Sequence, residues 1–294
     1  MEPGAAPPAV CIAVLAHNEE RRIGACLASL PGHLDAAVHV IVNGSSDRTA
    51  QIAREAAAGR PGMVVHEHAE GGKARSWNRF LFETLAAFSP VHVFVDGDAV
   101  VAPGSIAALA QALAAHPEAN AASGMPLNGR NAAAYRAALL AEHGLFGDLY
   151  ALRGSFLARM KGRGLRLPLD LVGDDSLVGA LAKTDLGPES AWDDQRVVPC
   201  EGAGFLCEPP ALTPAGLRQQ YRRLVSYSVR HFQNRIVSQV MRTGGPDALP
   251  RRLAELYPEW LPRFAPRAER WWFDRVALAR MARFMPAGPR ARAA

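Results

Sequence analysis

The segment VFVDGDAVVAPGS, residues 93–105, decides how the chain is read, because two carboxylates, Asp96 and Asp98, follow directly on an apolar run. Val91, Val93, Phe94 and Val95 have the composition of a buried strand, so both acids fall where that strand would emerge. In open parallel α/β sheets, ligands gather at the carboxyl ends of the strands. A pair of acids there suits a metal or a substrate better than a core, although Asp-Gly is also ordinary turn chemistry.

Working outward, the pattern of this segment repeats. VCIAVLA (residues 10–16) reads as a strand, and HNEERRIGACLASL follows with Ile23, Cys26, Leu27 and Leu30 at helical spacing. The apolar run 38–42 ends in the polar loop NGSSD and leads into the alanine-rich helix TAQIAREAAA. GMVVHEH is a third strand, followed by the loop AEGGKA and a helix predicted over residues 75–87. The fourth strand, at 91–95, is followed by the helix SIAALAQALAAH. Alternation at this pace predicts a parallel sheet with helices on both faces and right-handed crossovers. A strand at 119–124 and a helix, turn and hairpin or strand over 132–160 continue the domain. Then Leu217, Tyr221, Leu224, Val225, Ser228, Phe232, Ile236 and Val240 form one helical stripe.

The 294 residues, 49% hydrophobic and 21% charged, suit one large globular domain with an appendage. The net charge of +5 comes mostly from the C-terminal end, where Arg251, Arg252, Arg263, Arg267, Arg270, Arg275, Arg280, Arg283, Arg290 and Arg292 crowd. No zinc-finger, basic-zipper or RNA-recognition spacing accompanies them, so no nucleic-acid partner is expected. Cys11, Cys26, Cys200 and Cys207 include no Cys-x-x-Cys pair, which argues against a zinc site or disulfide scaffold. The start MEPGAAPPAV lacks a signal-peptide pattern, and no apolar stretch reaches spanning length. A cytoplasmic protein is therefore expected, with a leader at 1–9, a catalytic domain at 10–210 and a helical region at 211–294.

Polar residues decorate the carboxyl end of each of the first four predicted strands: HNEE, NGSSD, GGKARSWN and DGD. Together with DLVGDDSLVG further on, these five motifs resemble, in order, those of the family 2 glycosyltransferases, over residues 10–208. VLAHNEE is similar to the family's strand-one opening, VNGSSDRT to its D-D-G-S-x-D-x-T, GGKARSWN to its G-K-x-x-A-x-N loop, DGDA to its D-x-D signature and DLVGDDSLVG to its later acidic motif. The resemblance implies a GT-A type, Rossmann-like, mostly parallel sheet flanked by helices. It also implies transfer of a sugar from a nucleotide-diphosphate donor, a UDP-sugar first, to a hydroxyl of a glycan or lipid-linked acceptor, with inversion. Asp96 and Asp98 would hold Mg²⁺ or Mn²⁺, hard cations that suit carboxylate oxygens and can bridge to a diphosphate.

The same resemblance assigns Ala16, His17 and Glu19 or Glu20 to the nucleoside, with Asn43 standing where the family usually has an acid, which leaves the base open. Lys73 would approach the diphosphate or base, and Asn78 would brace the loop or the donor. Asp175 aligns with the family's base and Asp174 with the acid before it; a cap for the following helix is the structural alternative. The segment QQYRRL resembles part of a Q-x-x-R-W motif, offering Gln219 with Arg222, or Gln220 with Arg223, to the donor, or else a solvated helix face. Tyr150 and Arg153 lie where the family builds its acceptor wall. The end of the chain combines Trp271, Trp272, Phe273 and Phe284 with arginines, the composition of a helix that lies on an anionic bilayer or docks on a protein surface. A sugar nucleotidyltransferase, which usually carries a glycine-rich basic loop where this chain has LAHNEERR, and a non-catalytic glycan-binding relative are the rival readings.

Overall fold

A computed structural model describes residues 7–32, 35–209 and 213–285. The ends 1–6 and 286–294, which include most of the expected leader and Arg290 and Arg292, lie outside the described residues, as does the expected domain boundary at 210. Among the described residues, eight strands form one sheet in the order β3-β2-β1-β4-β7-β6-β8-β5. They are β1 (Val10–Ala16), β2 (Ala36–Asn43), β3 (Met63–His68), β4 (Val91–Asp96), β5 (Ala99–Val101), β6 (Ala121–Pro126), β7 (Leu149–Arg153) and β8 (Val197–Cys207). The first four strands of the sheet order run parallel, as the alternating pattern predicts. Every residue of β1 is buried, and β4 is buried up to Asp96, which fits strands covered on both faces.

The helices are α1 (Ile23–Ser29), α2 (Thr49–Ala58), α3 (Lys73–Arg79), α4 (Ser105–Ala115), α5 (Ala132–Glu142), α6 (Gly154–Gly162), α7 (Asp174–Lys183), α8 (Pro214–Gly244), α9 (Tyr257–Trp260) and α10 (Trp271–Ala282). Residues of α1, α2 and α4 fill one face of the sheet with Ile12, Val40 and Val93. Residues of α3, α6, α7, α8 and α10 fill the other, around a stack in which the Trp77 and Tyr150 rings lie 5.5 Å and 5.1 Å from that of Phe94. Burial of such rings is the main stabilising term on this face, roughly 1.5–3 kcal/mol for each large side chain.

Several expectations are corrected. The helix expected at 75–87 begins earlier, at Lys73, and after Arg79 continues as a π turn over Phe80–Thr84, which pushes Phe80 and Leu81 into the core. Residues 17–22 are loop rather than helix. The short β5 follows directly on the Asp-Gly-Asp turn and pairs antiparallel with β8. β7 runs antiparallel to both β4 and β6, and α6, not a hairpin, follows it. On α8 the stripe is buried only from Val225 onward: Leu217 and Tyr221 are exposed. Val225, Phe232 and Ile236 join the core under the sheet, so the helical C-terminal region docks on the domain through α8. No helix of the described residues is long and apolar enough to cross a membrane.

Candidate active site

Asp96 ends β4, and the chain turns at Gly97 so tightly against β1 that a Cβ there would lie 2.8 Å from the Ala16 Cβ. Glycine is therefore required between the two acids. Asp98 leaves the turn to meet the guanidinium of Arg22 at 3.2 Å and that of Arg223 at 3.7 Å. A third acid joins them. Asp148 directly precedes β7, and its carbonyl accepts the Asp96 N–H at 3.1 Å. One carboxylate oxygen each from Asp96, Asp98 and Asp148 lie within 4.8 Å of one another, three hard oxygen donors of the kind that hold Mg²⁺ or Mn²⁺. Burial, reinforced by Asp98, pushes the Asp148 carboxyl up to about 6. Burial also raises Asp96 well above the usual carboxylate range, even though Lys73 opposes the shift. Such crowding costs folding energy without a counter-charge and is relieved by a divalent cation.

Lys73 opens α3 after Gly72, whose φ of 123° suits only glycine. Its Nζ lies 2.7 Å from Asp96 and 3.4 Å from Asp174, and it donates to the Gly147 carbonyl at 3.3 Å. Partial burial works against the ammonium, but Asp174 and Asp96 outweigh it and hold the lysine above its ordinary value. Lys73 is thus a counter-charge behind the acids as well as a cation at the rim.

Asp174 and Asp175 occupy the first turn of α7, where the helix dipole favours negative charge. The cap position is Gly173, in the left-handed region at φ 85°, so neither acid is the cap. Asp174 is 2% exposed and turned toward Lys73, and its Oδ2 has no partner among the described residues. Burial raises its carboxyl despite Lys73. Asp175 instead faces the open cleft and accepts from Arg230 Nη2 at 2.9 Å. Arg230 passes directly over Gly173, where a Cβ would come within 2.5 Å of its Cδ. The cleft, of about 1230 Å³, contains Asp96, Asp148, Asp175, Arg223 and Arg230 on its walls.

The loop after β1 is built differently from expectation. Asn43 is buried at the end of β2; its amide donates to the Ala16 carbonyl at 3.0 Å and accepts from the Gly72 N–H at 3.2 Å. It ties β1, β2 and the lysine loop together, and at 3% exposure its amide serves the backbone. Ala16 takes part through its carbonyl, and His17 Nδ1 lies 2.6 Å from the Asn43 carbonyl, so that nitrogen carries the proton. Glu19 pairs with Arg22, and its N–H donates to Thr49 at 2.7 Å. Burial and the nearby Asp98 push the Glu19 carboxyl up to about 7. Glu19, Glu20, Gln219, Gln220 and Arg223 line a depression of about 330 Å³ beside the acids.

Asn78 takes the bracing role of its two expected ones. It is 2% exposed and its amide exchanges two hydrogen bonds with the backbone of Leu167, at 2.8 and 3.0 Å, so it braces a loop and does not reach the cleft. Arg222 points to solvent, and Arg223 takes the place beside Asp98. Tyr150 is fully buried and accepts from Trp77 Nε1 at 3.1 Å, while Arg153 holds the carbonyls of Leu113, His116 and Ala119. Neither forms an acceptor wall. Asp148 and Arg230 were not singled out from the sequence. The signal for Asp148 was an acid immediately before an apolar run, a position that faces this rim only because β7 is antiparallel.

Residues 11–167 match the family model described as Glycosyl transferase family 2. The chain belongs to glycosyl transferase family 2. It is a glycosyltransferase whose matched segment carries the Asp-Gly-Asp turn, the lysine loop and Asp148. Among solved structures, a mannosyltransferase, PcManGT, from Pyrobaculum calidifontis in complex with GDP-Man and Mn²⁺ is similar over 95% of this glycosyltransferase and 87% of its own chain, at 20% identity and TM-score 0.60. Glucosyl-3-phosphoglycerate synthase from Mycobacterium tuberculosis in complex with Mg²⁺ and UDP is similar over 82% and 81%, at 18% identity and TM-score 0.52. The same synthase with Mn²⁺ and UDP-Glc gives 19% identity and TM-score 0.52 over 82% and 80%. At these identities the likeness is one of fold. No curated protein sequence matches the chain.

Proposed function

We propose that this glycosyltransferase moves a sugar from a nucleoside-diphosphate donor to a hydroxyl acceptor, with a divalent cation and with inversion. The observation that carries the reading is the convergence of Asp96, Asp98 and Asp148 at the cleft that Asp96, Asp148 and Asp175 line. Mg²⁺ or Mn²⁺ on the three carboxylates would bind the donor diphosphate and offset the charge that develops on it as it leaves. The complexes of the similar structures, with GDP-Man and Mn²⁺ or with UDP and Mg²⁺, support that assignment. Arg223 adds a cation beside Asp98, and Lys73 holds Asp96 in place. Asp175 takes the proton of the attacking hydroxyl through the oxygen that Arg230 leaves free, while Arg230 fixes the carboxylate's orientation. With Asn43 committed to the backbone, the uracil preference implied by the family resemblance rests on the fold alone, and a GDP-sugar fits the same reading.

The acceptor in this proposal is a glycan or a lipid-linked hydroxyl, and the protein is cytoplasmic with peripheral contact to an anionic membrane. What supports that contact is the outer face of α10, where Trp271, Trp272, Arg275, Ala279 and Arg283 are exposed together and the Arg275 guanidinium lies 4.7 Å from the Trp271 ring.

The test is turnover across a panel of UDP- and GDP-sugars with Mn²⁺ or Mg²⁺, comparing the wild type with Asp98→Ala. A single donor hydrolysed or transferred only with metal, and lost in the variant, supports the reading. Binding of every donor without metal, or of none with it, defeats it.

A further inference from the structure

The cleft holds charge that donor binding does not use. Along α8, Arg223 stands at the metal carboxylates and Arg230 at Asp175, seven residues and about 10 Å further on. Arg267 and Arg270, from the turn that precedes α10, line the same cleft. Arg267 is locked by two side-chain bonds, at 2.8 and 2.9 Å, to the buried Asp274, which packs beside Ser228 of α8. This grip uses Nε and Nη2 and leaves Nη1 free. Arg270 forms no ion pair with a carboxylate among the described residues, although it is partly buried in the cleft wall. The other cation of the cleft, Lys183, is matched by Asp194 at 2.6 Å. Leu139, Leu145 and Phe146 add apolar surface to the cleft, and Glu142 also lines it.

A guanidinium anchored by a buried carboxylate, next to an unmatched one, is a preorganised fork for a planar or tetrahedral anion. Unlike Arg223, neither arginine pairs with a carboxylate of the metal site among the described residues, which assigns the fork to the acceptor rather than to the donor diphosphate. We infer that the acceptor of this enzyme carries an anionic group, a phosphate or carboxylate, which Arg270 and Arg267 hold while its hydroxyl faces Asp175. The inference rests on the glycosyl-transfer reading above and names its acceptor class. The anion belongs either to a soluble acceptor, a sugar or glycan that carries a phosphate or carboxylate, or to a lipid headgroup presented at the exposed Trp271 and Trp272.

The test uses the whole protein saturated with Mn²⁺ and UDP or GDP, so that the diphosphate position is filled. Calorimetric titration with sn-glycerol 3-phosphate, inorganic phosphate and uncharged glycerol then reads the second position. The two anions are expected to bind, glycerol not, and Arg270→Ala to weaken the anions about tenfold or more, with Arg270→Lys recovering part of the loss. Mn²⁺–nucleotide binding is expected to be unchanged in both variants, which also shows that they fold. Anion binding that is absent, or equal in the wild type and Arg270→Ala, overturns the inference. If no nucleoside diphosphate binds with Mn²⁺, it is the underlying functional reading that fails. Phosphatidylcholine vesicles with and without phosphatidic acid form a further arm. Arg270-dependent competition by the phosphatidic acid vesicles assigns the anion to a lipid, and competition by glycerol 3-phosphate alone assigns it to a soluble acceptor.

Discussion

At the residue scale, the three rim carboxylates carry opposite consequences for folding and for binding. The folded protein keeps a proton on Asp148 up to about pH 6, whereas the unfolded chain releases it near the ordinary value of 3.8. Between these values the folded state binds more protons, so this group makes stability fall as pH rises through the window. Asp148→Asn is therefore expected to raise the melting temperature of the metal-free protein at pH 7 and to flatten its decline between pH 4 and 6. A variant that melts lower at pH 7 would contradict the repulsion. The same residue predicts that Mn²⁺ affinity, measured by titration, weakens as pH drops below about 6 in the wild type, because protons then compete for the ligand. Asp175→Asn is expected to leave nucleotide binding intact and to lower turnover by roughly 10²–10⁴-fold. Equal loss of both would make Asp175 a donor ligand instead of a base.

At the element scale, the amino ends of α3 and α7 bring the charged residues in, and a glycine sets the start of each helix. Gly173→Ala would force a side chain into a left-handed backbone position and into Arg230. It is expected to cost ~1–2 kcal/mol of stability in denaturant titrations and to lower turnover further by displacing Arg230 from Asp175. Turnover equal to wild type would show that Arg230 does not orient the base. Asn78→Ala separates bracing from binding. It would strand the Leu167 N–H and carbonyl at a cost of ~2–3 kcal/mol, while Mn²⁺–nucleotide affinity of the folded variant stays at the wild-type value. A donor role for Asn78 would instead appear as weaker nucleotide binding with little change in melting.

At the scale of the whole molecule, α8 and the segment after it close the cleft and present an outer face of their own. Trp271 is 50% and Trp272 59% exposed. Replacing both by serine is expected to weaken sedimentation with anionic vesicles at least tenfold, since each ring contributes about 1.5 kcal/mol or more on burial. Wild-type protein that fails to sediment with such vesicles at low salt would remove the membrane contact from the proposal.

The strand-helix alternation of the first 120 residues was legible because apolar runs of period one or two and helical spacing are local properties of the chain. Asp96, Asp98, Lys73 and the Asp174–Asp175 pair were legible for the same reason, as they adjoin element ends. Asp148 and Arg230 were not, because their roles depend on strand direction and on a helix that returns from 55 residues downstream of Asp175. Nor could composition tell that Asn43, Asn78, Tyr150 and Arg153 spend their polar atoms inside the protein, since an amide or phenol reads alike in either use. The layered α/β architecture and the placing of acids at a strand's carboxyl end follow from periodicity and turn chemistry, which are local properties of the chain. Which charges meet was settled in three dimensions: the antiparallel β7 brings Asp148 to the metal carboxylates, and α8 lays Arg223 beside Asp98 and Arg230 on Asp175. Electrostatic interaction depends on distance in space, and that distance is set by packing between elements far apart in the chain.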